Sequence, residues 1–472
     1  MTTGFLHGVN VVEIDAGPRP IRIVRSAVIG LIGTAPDADA QAFPVNQPRL
    51  IAGSRRAAAK LDTTGARKGT LPSAIDGIFD QAGAMVVVVR VEEGADEDAG
   101  RANVIGGVDA VTGQYTGVQA FLAAKGETAV TPRILIAPGF TGRRTDDGIL
   151  SAVVDAGGTG YSPDVSVTID DPSGSGATAD ATVEDGAVTG ITVLTQGSGY
   201  TSPTVTITDN GGSGTGATAT AHVGQVGNAV VAEMLGIAER LRAVIVPDGP
   251  NTTDQDAIAY RGDWGSGRVY PVDPHTLVSR DGVITPEPTS PRAAGKIAWS
   301  DEHRGFWWSP SNLVLNGVVG TARPIDFALG DKNARANLLN ENEVTTVIRE
   351  DGFRLWGNRT CASDPKWAFL SVRRTADMIH ESLLQAHLWA VDRNITKTYL
   401  EDVTEGVNAF LRDLTARGAI LGGRCWADEE LNSPANIQKG QVYFNFDFTP
   451  PYPAEDITFR SHLVNDYLEE LV

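Results

Sequence analysis

Val344-Thr345-Thr346-Val347-Ile348-Arg349-Glu350-Asp351-Gly352-Phe353-Arg354-Leu355-Trp356-Gly357-Asn358-Arg359-Thr360 is the stretch whose reading decides the rest of the chain. Its β-branched opening, Val344–Arg349, predicts a strand. Asp351-Gly352 supplies a turn, because glycine reaches positive φ without a Cβ clash. Phe353, Leu355 and Trp356 bring large apolar surfaces to the returning run, and Arg354 and Arg359 bring forked donors suited to carboxylates or carbonyls. No base, nucleophile or metal-ligand set accompanies them. The expectation is a buried hairpin with structural arginines.

Working outward, 472 residues exceed a single core and predict two to four domains. A hydrophobic content of 42% with 21% charged residues is ordinary for a folded, soluble protein. The formal charge of −19 argues against broad nucleic-acid binding, which needs a basic face. A local basic patch facing an acidic protein partner remains open. Cys361 and Cys425 are too few and too far apart for a zinc site or a disulfide framework. They read as buried thiols, with a single bridge as the alternative. Met1-Thr2-Thr3-Gly4 lacks the charge and apolar run of a signal peptide, and no apolar run reaches membrane-span length, so a cytosolic product is expected.

Residues 5–16 alternate well enough for a strand, but Gly17-Pro18 cuts it off, so it needs a sheet to join. From residue 26 to 142 strands alternate with helices: Ser26–Gly33, Ala84–Val91 and Arg133–Ala137 read as buried strands, and Ser54–Lys60 and Ala74–Gln81 as helical. The style resumes with a helix at Ala229–Arg242 and strands at Ala243–Val246 and Arg268–Val272. Continuous Val/Ile runs between helices predict a mainly parallel sheet covered on both faces. Residues 143–226 differ, being rich in Gly, Thr, Ser, Ala and Val, and carry an internal repeat. Gly158–Pro163 with Val165, Val167 and Ile169 returns as Gly197–Pro203 with Val205 and Ile207; Ala177–Val183 returns as Ala217–Val223. An all-β unit inserted in a surface loop is expected, its ends close together and its core built from Val153, Val165, Val167, Ile191, Val193, Val205 and Ile207. Towards the C-terminus Trp367–Trp389 and Val403–Arg417 show helical spacing, with Val403, Val407, Phe410, Leu411 and Leu414 as one apolar stripe. Gln441–Thr449 alternates as a strand, and Ile457–Val464 is a last strand-like stretch.

Candidate chemistry is sparse. Gly212–Gly216 invites a phosphate-loop reading, but such a loop must open a helix, and the following Ala/Thr alternation is strand-like. Asp170-Asp171 and Asp209-Asn210 sit beside glycine turns, where solvated turn residues are the better account than a Ca²⁺ site. His380 and His387 are seven apart and miss the metal-pair spacing. Trp307 and Trp308 read as core or interface aromatics.

Three stretches carry a resemblance: TTVIREDGFRLWGNRTCASDPKW (345–367), FLHGVNVVEID (5–15) and LWAVDRNITKTYLEDVTEGVNAFLRDL (388–414). Together they resemble the sheath protein of contractile phage tails and R-type pyocins, over most of the chain except about 85 residues in its middle. The fold implied is α/β plus α+β and multidomain. It comprises an N-terminal linking arm (1–25), an outer α/β domain (26–142 and 227–295) carrying the all-β insertion (143–226), and a C-terminal α+β domain (296–472) with exchanged terminal strands. The function implied is structural. Six-subunit rings would stack around a tail tube and contract to drive it through the host envelope, in a phage tail or tailocin assembled in the host cytoplasm. The implied partners are further copies of the chain, a tube protein, and baseplate and tail terminator proteins. Catalytic residues, cofactor, metal, direct nucleic-acid contact and membrane insertion are not expected. Val9, Val11 and Ile14 in one arm and Phe459 and Leu463 in the other would add to a neighbour's sheet. Lys397, Arg412 and Arg417 are candidates for a tube-facing helix, a solvated helix face being the competing reading. The alternatives are another tail or baseplate structural protein with a receptor-binding insertion, and an α/β enzyme, for which no positive feature appears.

Overall fold

The computed structural model describes residues 21–464. Its centre is a five-stranded sheet of β1 (Val28–Thr34), β2 (Arg49–Ala52), β3 (Met85–Val91), β4 (Ile134–Ile136) and a short strand at Val244–Ile245. The order is Val244–Ile245, β4, β1, β3, β2, all parallel except β2 on β3. Period-2 alternation divides its apolar residues between two cores. Ile29, Leu31, Val86, Val88 and Ile134 face α1 (Leu71–Phe79) and a later helix at Ser290–His303. Val28, Ile32, Val87, Val89 and Leu135 face the helix Ala229–Leu241, with Phe121 between. Burial on both faces is why these strands read as unbroken apolar runs. Arg268–Val272, expected as a strand, joins only through single bridges, Val269 to Ile245 and Val272 to Asp248 and Thr345.

The insertion consists of six strands, β5 (Thr145–Thr159), β6 (Val165–Asp170), β7 (Ser175–Glu184), β8 (Ala187–Ser198), β9 (Thr204–Asp209) and β10 (Thr215–Val226). Its two repeats interlock. β5 pairs with β10, β7 with β8 and β6 with β9, so almost every ladder joins the first repeat to the second. The repeats are joined by Asp185-Gly186, whose φ values of 51° and 77° suit a two-residue hairpin turn. Tyr161 and Tyr200 do occupy equivalent places: each hydroxyl accepts from the other repeat, from Ala217 N at 3.2 Å and Ala177 N at 2.9 Å. The core departs from expectation at Val153, which is half exposed, and at Val165 and Ile207, which lie outside the apolar cluster, while Ile149, Ile169 and Tyr200 are buried. Bulges at Leu150 and Asp155 shift the alternation of β5 by one residue each.

The helix across Ser290–His303, here α2, has Pro291–Ile297 buried against α1 and the central sheet. It therefore runs straight through the expected boundary at 295/296. The opening hairpin also lies on this larger unit: β11 (Thr346–Arg349) and β12 (Phe353–Trp356) pair antiparallel, and Val347 and Leu355 join the same core. Its turn places Asp351 at φ 46° and Gly352 at φ 106°, the latter open only to glycine at no cost.

A separate apolar cluster defines the C-terminal unit, formed by α3 (Leu370–Ala386), α4 (Lys397–Ala416), β13 (Gly422–Ala427) and β14 (Phe444–Thr449). The stripe Val403, Val407, Phe410, Leu411 and Leu414 is buried as expected. α4 begins six residues earlier than Val403, because the Thr396 hydroxyl accepts from Tyr399 N and caps it. Ile457–Val464, expected as a strand, has no secondary structure, and none of the described residues pairs with it as a strand.

Candidate assembly surfaces

A two-stranded sheet has two open edges. Among the described residues β13 and β14 pair only with each other, and a lone two-stranded ribbon is marginal in water. Phe444, Phe446 and Phe448 lie on its inner side, half-buried against the C-terminal cluster, where His380 meets Phe446 and Phe448 edge-on at 5.8 and 6.3 Å. Burial, then the nearby Arg242, lowers the His380 pKa, so the ring stays neutral against these aromatics.

Both chain ends leave this unit. Ile21, Ile23 and Val24 pack on the cluster, and Val24 N donates to the Ser382 hydroxyl at 3.2 Å before the chain enters β1. At the other end Ile457, Phe459 and Leu463 stand 67%, 91% and 98% exposed. They alternate with Thr458, Arg460 and His462, a half-buried strand pattern that none of the described residues buries. Val9, Val11 and Ile14 lie outside the described residues.

Lys397, Arg412 and Arg417 are exposed, but the fold does not gather them. Lys397 opens α4 while the other two close it, and at 1.5 Å per residue the ends of the helix lie roughly 20–30 Å apart. Each already has an acid beside it: Glu401 at 3.7 Å, Glu405, and Asp413 at 2.9 Å. The exposed face of α4 is thus charge-balanced rather than basic.

Behind these surfaces lies a seam that sequence reading missed. α3 meets the large unit through buried ion pairs. Arg268 grips Asp377 with two nitrogens at 2.7 and 3.2 Å, and Arg373 reaches the same carboxylate at 2.9 Å. One turn on, Glu381 takes Arg133 at 2.9 Å and Arg242 at 3.6 Å. Arg374 forks onto Asp301 of α2, both side chains almost fully buried. The only hint in the sequence was spacing: Arg373, Arg374, Asp377 and Glu381 recur at three- and four-residue steps along one predicted helix.

Of the crevices that the enzyme alternative could use, the one of about 230 Å³ at the carboxyl ends of β1, β3 and β4 lies where open α/β sheets take ligands. Its cations are occupied: Arg101 by Glu97 and Asp98 at 3.7 and 3.5 Å, and Arg143 by Glu97 and Asp146 at 3.2 and 3.1 Å. Among the described residues no group of three or more His, Cys, Asp or Glu is placed to hold a metal ion, and no helix is long and apolar enough to cross a membrane. Asp171 and Asp209 are turn clasps. Asp171 accepts from Ser173, Gly174, Thr201 and Ser202 backbone N–H groups, and Asp209 from those of Ser162, Gly211 and Gly214. Cys361 and Cys425 are free and buried, and burial pushes their thiols up to about 12 and about 11.

Comparison with known proteins decides what these surfaces belong to. Residues 26–91 match the tail sheath protein Gp18 domain III N-terminal region, 221–361 the phage tail sheath protein central domain, and 362–463 the phage tail sheath C-terminal domain. A putative prophage major tail sheath protein of Pseudomonas aeruginosa (strain UCBPP-PA14) is 36% identical over 471 residues, 99% of both chains. The chain belongs to the phage tail sheath family. The tail sheath protein of Escherichia phage P2 is 31% identical over 478 residues, covering 99% of this chain and 98% of the relative. In fold the chain is similar to the anti-feeding prophage helical sheath in its contracted state, with TM-score 0.59 and 15% identity over 98% and 99% of the two chains. It is similar also to the contracted PVC sheath complex of an extracellular contractile injection system, with TM-score 0.58 and 14% identity over 99% of each. As a sheath protein the chain is structural and not an enzyme. The family's central and C-terminal regions meet at 361/362, just after the hairpin, in agreement with its packing on the large unit.

Proposed function

We propose that this sheath subunit forms six-membered rings stacked around a tail tube, and that contraction of the stack drives the tube through a host envelope. The division of labour would be linking arms at both ends, an outer α/β body bearing the β insertion, and an inner C-terminal unit that receives neighbours' arms. One observation carries the reading: among the described residues, an apolar, strand-patterned end, Ile457–Leu463, has no strand partner, and the small sheet has two open edges. Adding that end to a neighbour's sheet supplies several backbone hydrogen bonds, each worth about 0.5–1.5 kcal/mol net, and covers Phe459 and Leu463. Val9, Val11 and Ile14 would do the same from the other end. Removing residues 456–472 should leave a folded monomer that no longer sediments as large polymers. Long polymers from the truncated chain would refute strand exchange.

The tube-facing candidate is the exposed face of α4. Exposed ion pairs are worth only about 0–1 kcal/mol, so Arg412 and Arg417 can exchange Glu405 and Asp413 for carboxylates on a tube. The double change Arg412→Glu with Arg417→Glu should weaken co-assembly with tube while sparing sheath-only polymers. Undiminished tube decoration would reject the assignment.

A further inference from the structure

The C-terminal arm does not simply trail from the sheet that it follows. β14 ends at Thr449, and Pro450, Pro451 and Pro453 then hold the chain extended, since each fixes φ near −65°. Tyr452 meets the Phe369 ring edge-on at 6.1 Å. Two residues beyond Pro453, Glu455 is forked by Arg359, Nε to Oε1 at 2.8 Å and Nη2 to Oε2 at 2.5 Å. The same guanidinium lies over the Phe369 ring, 5.2 Å from its centre. Arg359 itself is not on the C-terminal unit's sheet. It bridges to Phe369 in a loop whose Cys361 N donates to Val269 O, so it is tied to the large unit. Past Glu455 the apolar residues of the arm, Ile457, Phe459 and Leu463, are exposed.

We propose that Arg359 and Glu455 are positioning residues for assembly: together with Tyr452 on Phe369 they fix the direction in which the arm leaves the subunit, and so present Ile457, Phe459 and Leu463 to a second copy of this chain already aimed. The inference rests on the strand-exchange reading. Its physical content is pre-organisation. A planar fork stacked on a ring restricts the root of the arm before any partner arrives, and that ordering need not be supplied on association. Because the root is held by the large unit, the arm's aim follows that unit rather than the small sheet.

The test uses the full chain with Arg359→Gln, Glu455→Gln, and the exchanged pair Arg359→Glu with Glu455→Arg. The readouts are the lowest concentration at which sedimenting polymers appear, and the melting temperature of the monomer. Each single change should raise that concentration about three- to tenfold by freeing the root, with the melting temperature nearly unchanged because the pair is half exposed. The exchanged pair should bring it back towards the parent value. Tyr452→Ala, which leaves the ion pair intact, should shift it in the same direction as the single changes. Single variants that assemble like the parent, or an exchanged pair no better than either single, would overturn the proposal. A chain ending at Glu455 separates the two claims. If it polymerises normally, strand exchange itself fails. If it does not polymerise while the single variants behave like the parent, only the positioning role fails.

Discussion

Asp377 shows how much one side chain holds. It is buried and shared by Arg268 and Arg373, so its removal leaves Arg373 without this carboxylate and Arg268 with the exposed Glu239, 2.8 Å away, in its place. Breaking a buried pair in this way costs about 3–5 kcal/mol, whereas replacing both partners by apolar residues of similar size is often near neutral. Asp377→Ala should therefore lower stability by about 3 kcal/mol or more in chemical denaturation, and Arg268→Met with Asp377→Leu should recover most of the loss. A loss under about 1 kcal/mol for Asp377→Ala would mean the seam is solvated rather than buried. Beyond the spacing of Arg373, Asp377 and Glu381 along one helix, none of this was legible beforehand. Sequence marks Arg268 and Asp377 as charged, and charged residues are expected at the surface; only the fold brings positions 109 apart together. Arg354 and Arg359 were legible as structural arginines, though not their partners. Arg354 donates to Glu350 and Asn312 carbonyls, and Arg359 reaches Glu455 almost a hundred residues on.

At the scale of elements, local pattern served where burial is simple. Strands buried on both faces, the stripe of α4 and the opening hairpin appear where their periodicity placed them, because alternation or 3.6-residue spacing is all that such burial requires. It failed where geometry departs from a period, since two bulges turned Val153 outward, and helix 290–303 bridges the domain boundary expected at 295/296. The repeat was visible, but not its interlocking, since strand pairing between repeats leaves no mark on either one. The insertion is nevertheless a closed unit whose ends meet, with Thr145 opposite Val226. It is also acidic: from Thr145 to Val226 there are ten Asp or Glu residues and no Lys or Arg, a charge that opposes close packing of one copy on another. Replacing residues 145–226 with a short Gly-Ser turn should therefore preserve the fold and the assembly of the rest. Circular dichroism with sedimentation would check this, and aggregation or loss of polymers would place the insertion in the assembly interface.

For the whole molecule, the two units joined by a buried ionic seam favour movement between subunits over movement within one, and on the strand-exchange proposal the arms would be the links that survive it. Among the described residues lie the two halves that such an interaction would use: a terminal segment without secondary structure, and a two-stranded sheet with open edges. The most direct test is negative-stain microscopy of the purified full-length protein beside the chain lacking residues 456–472. Hollow cylinders from the first and single particles from the second are the predicted result. Monodisperse single particles from both, at concentrations where strand exchange should operate, would contradict the account.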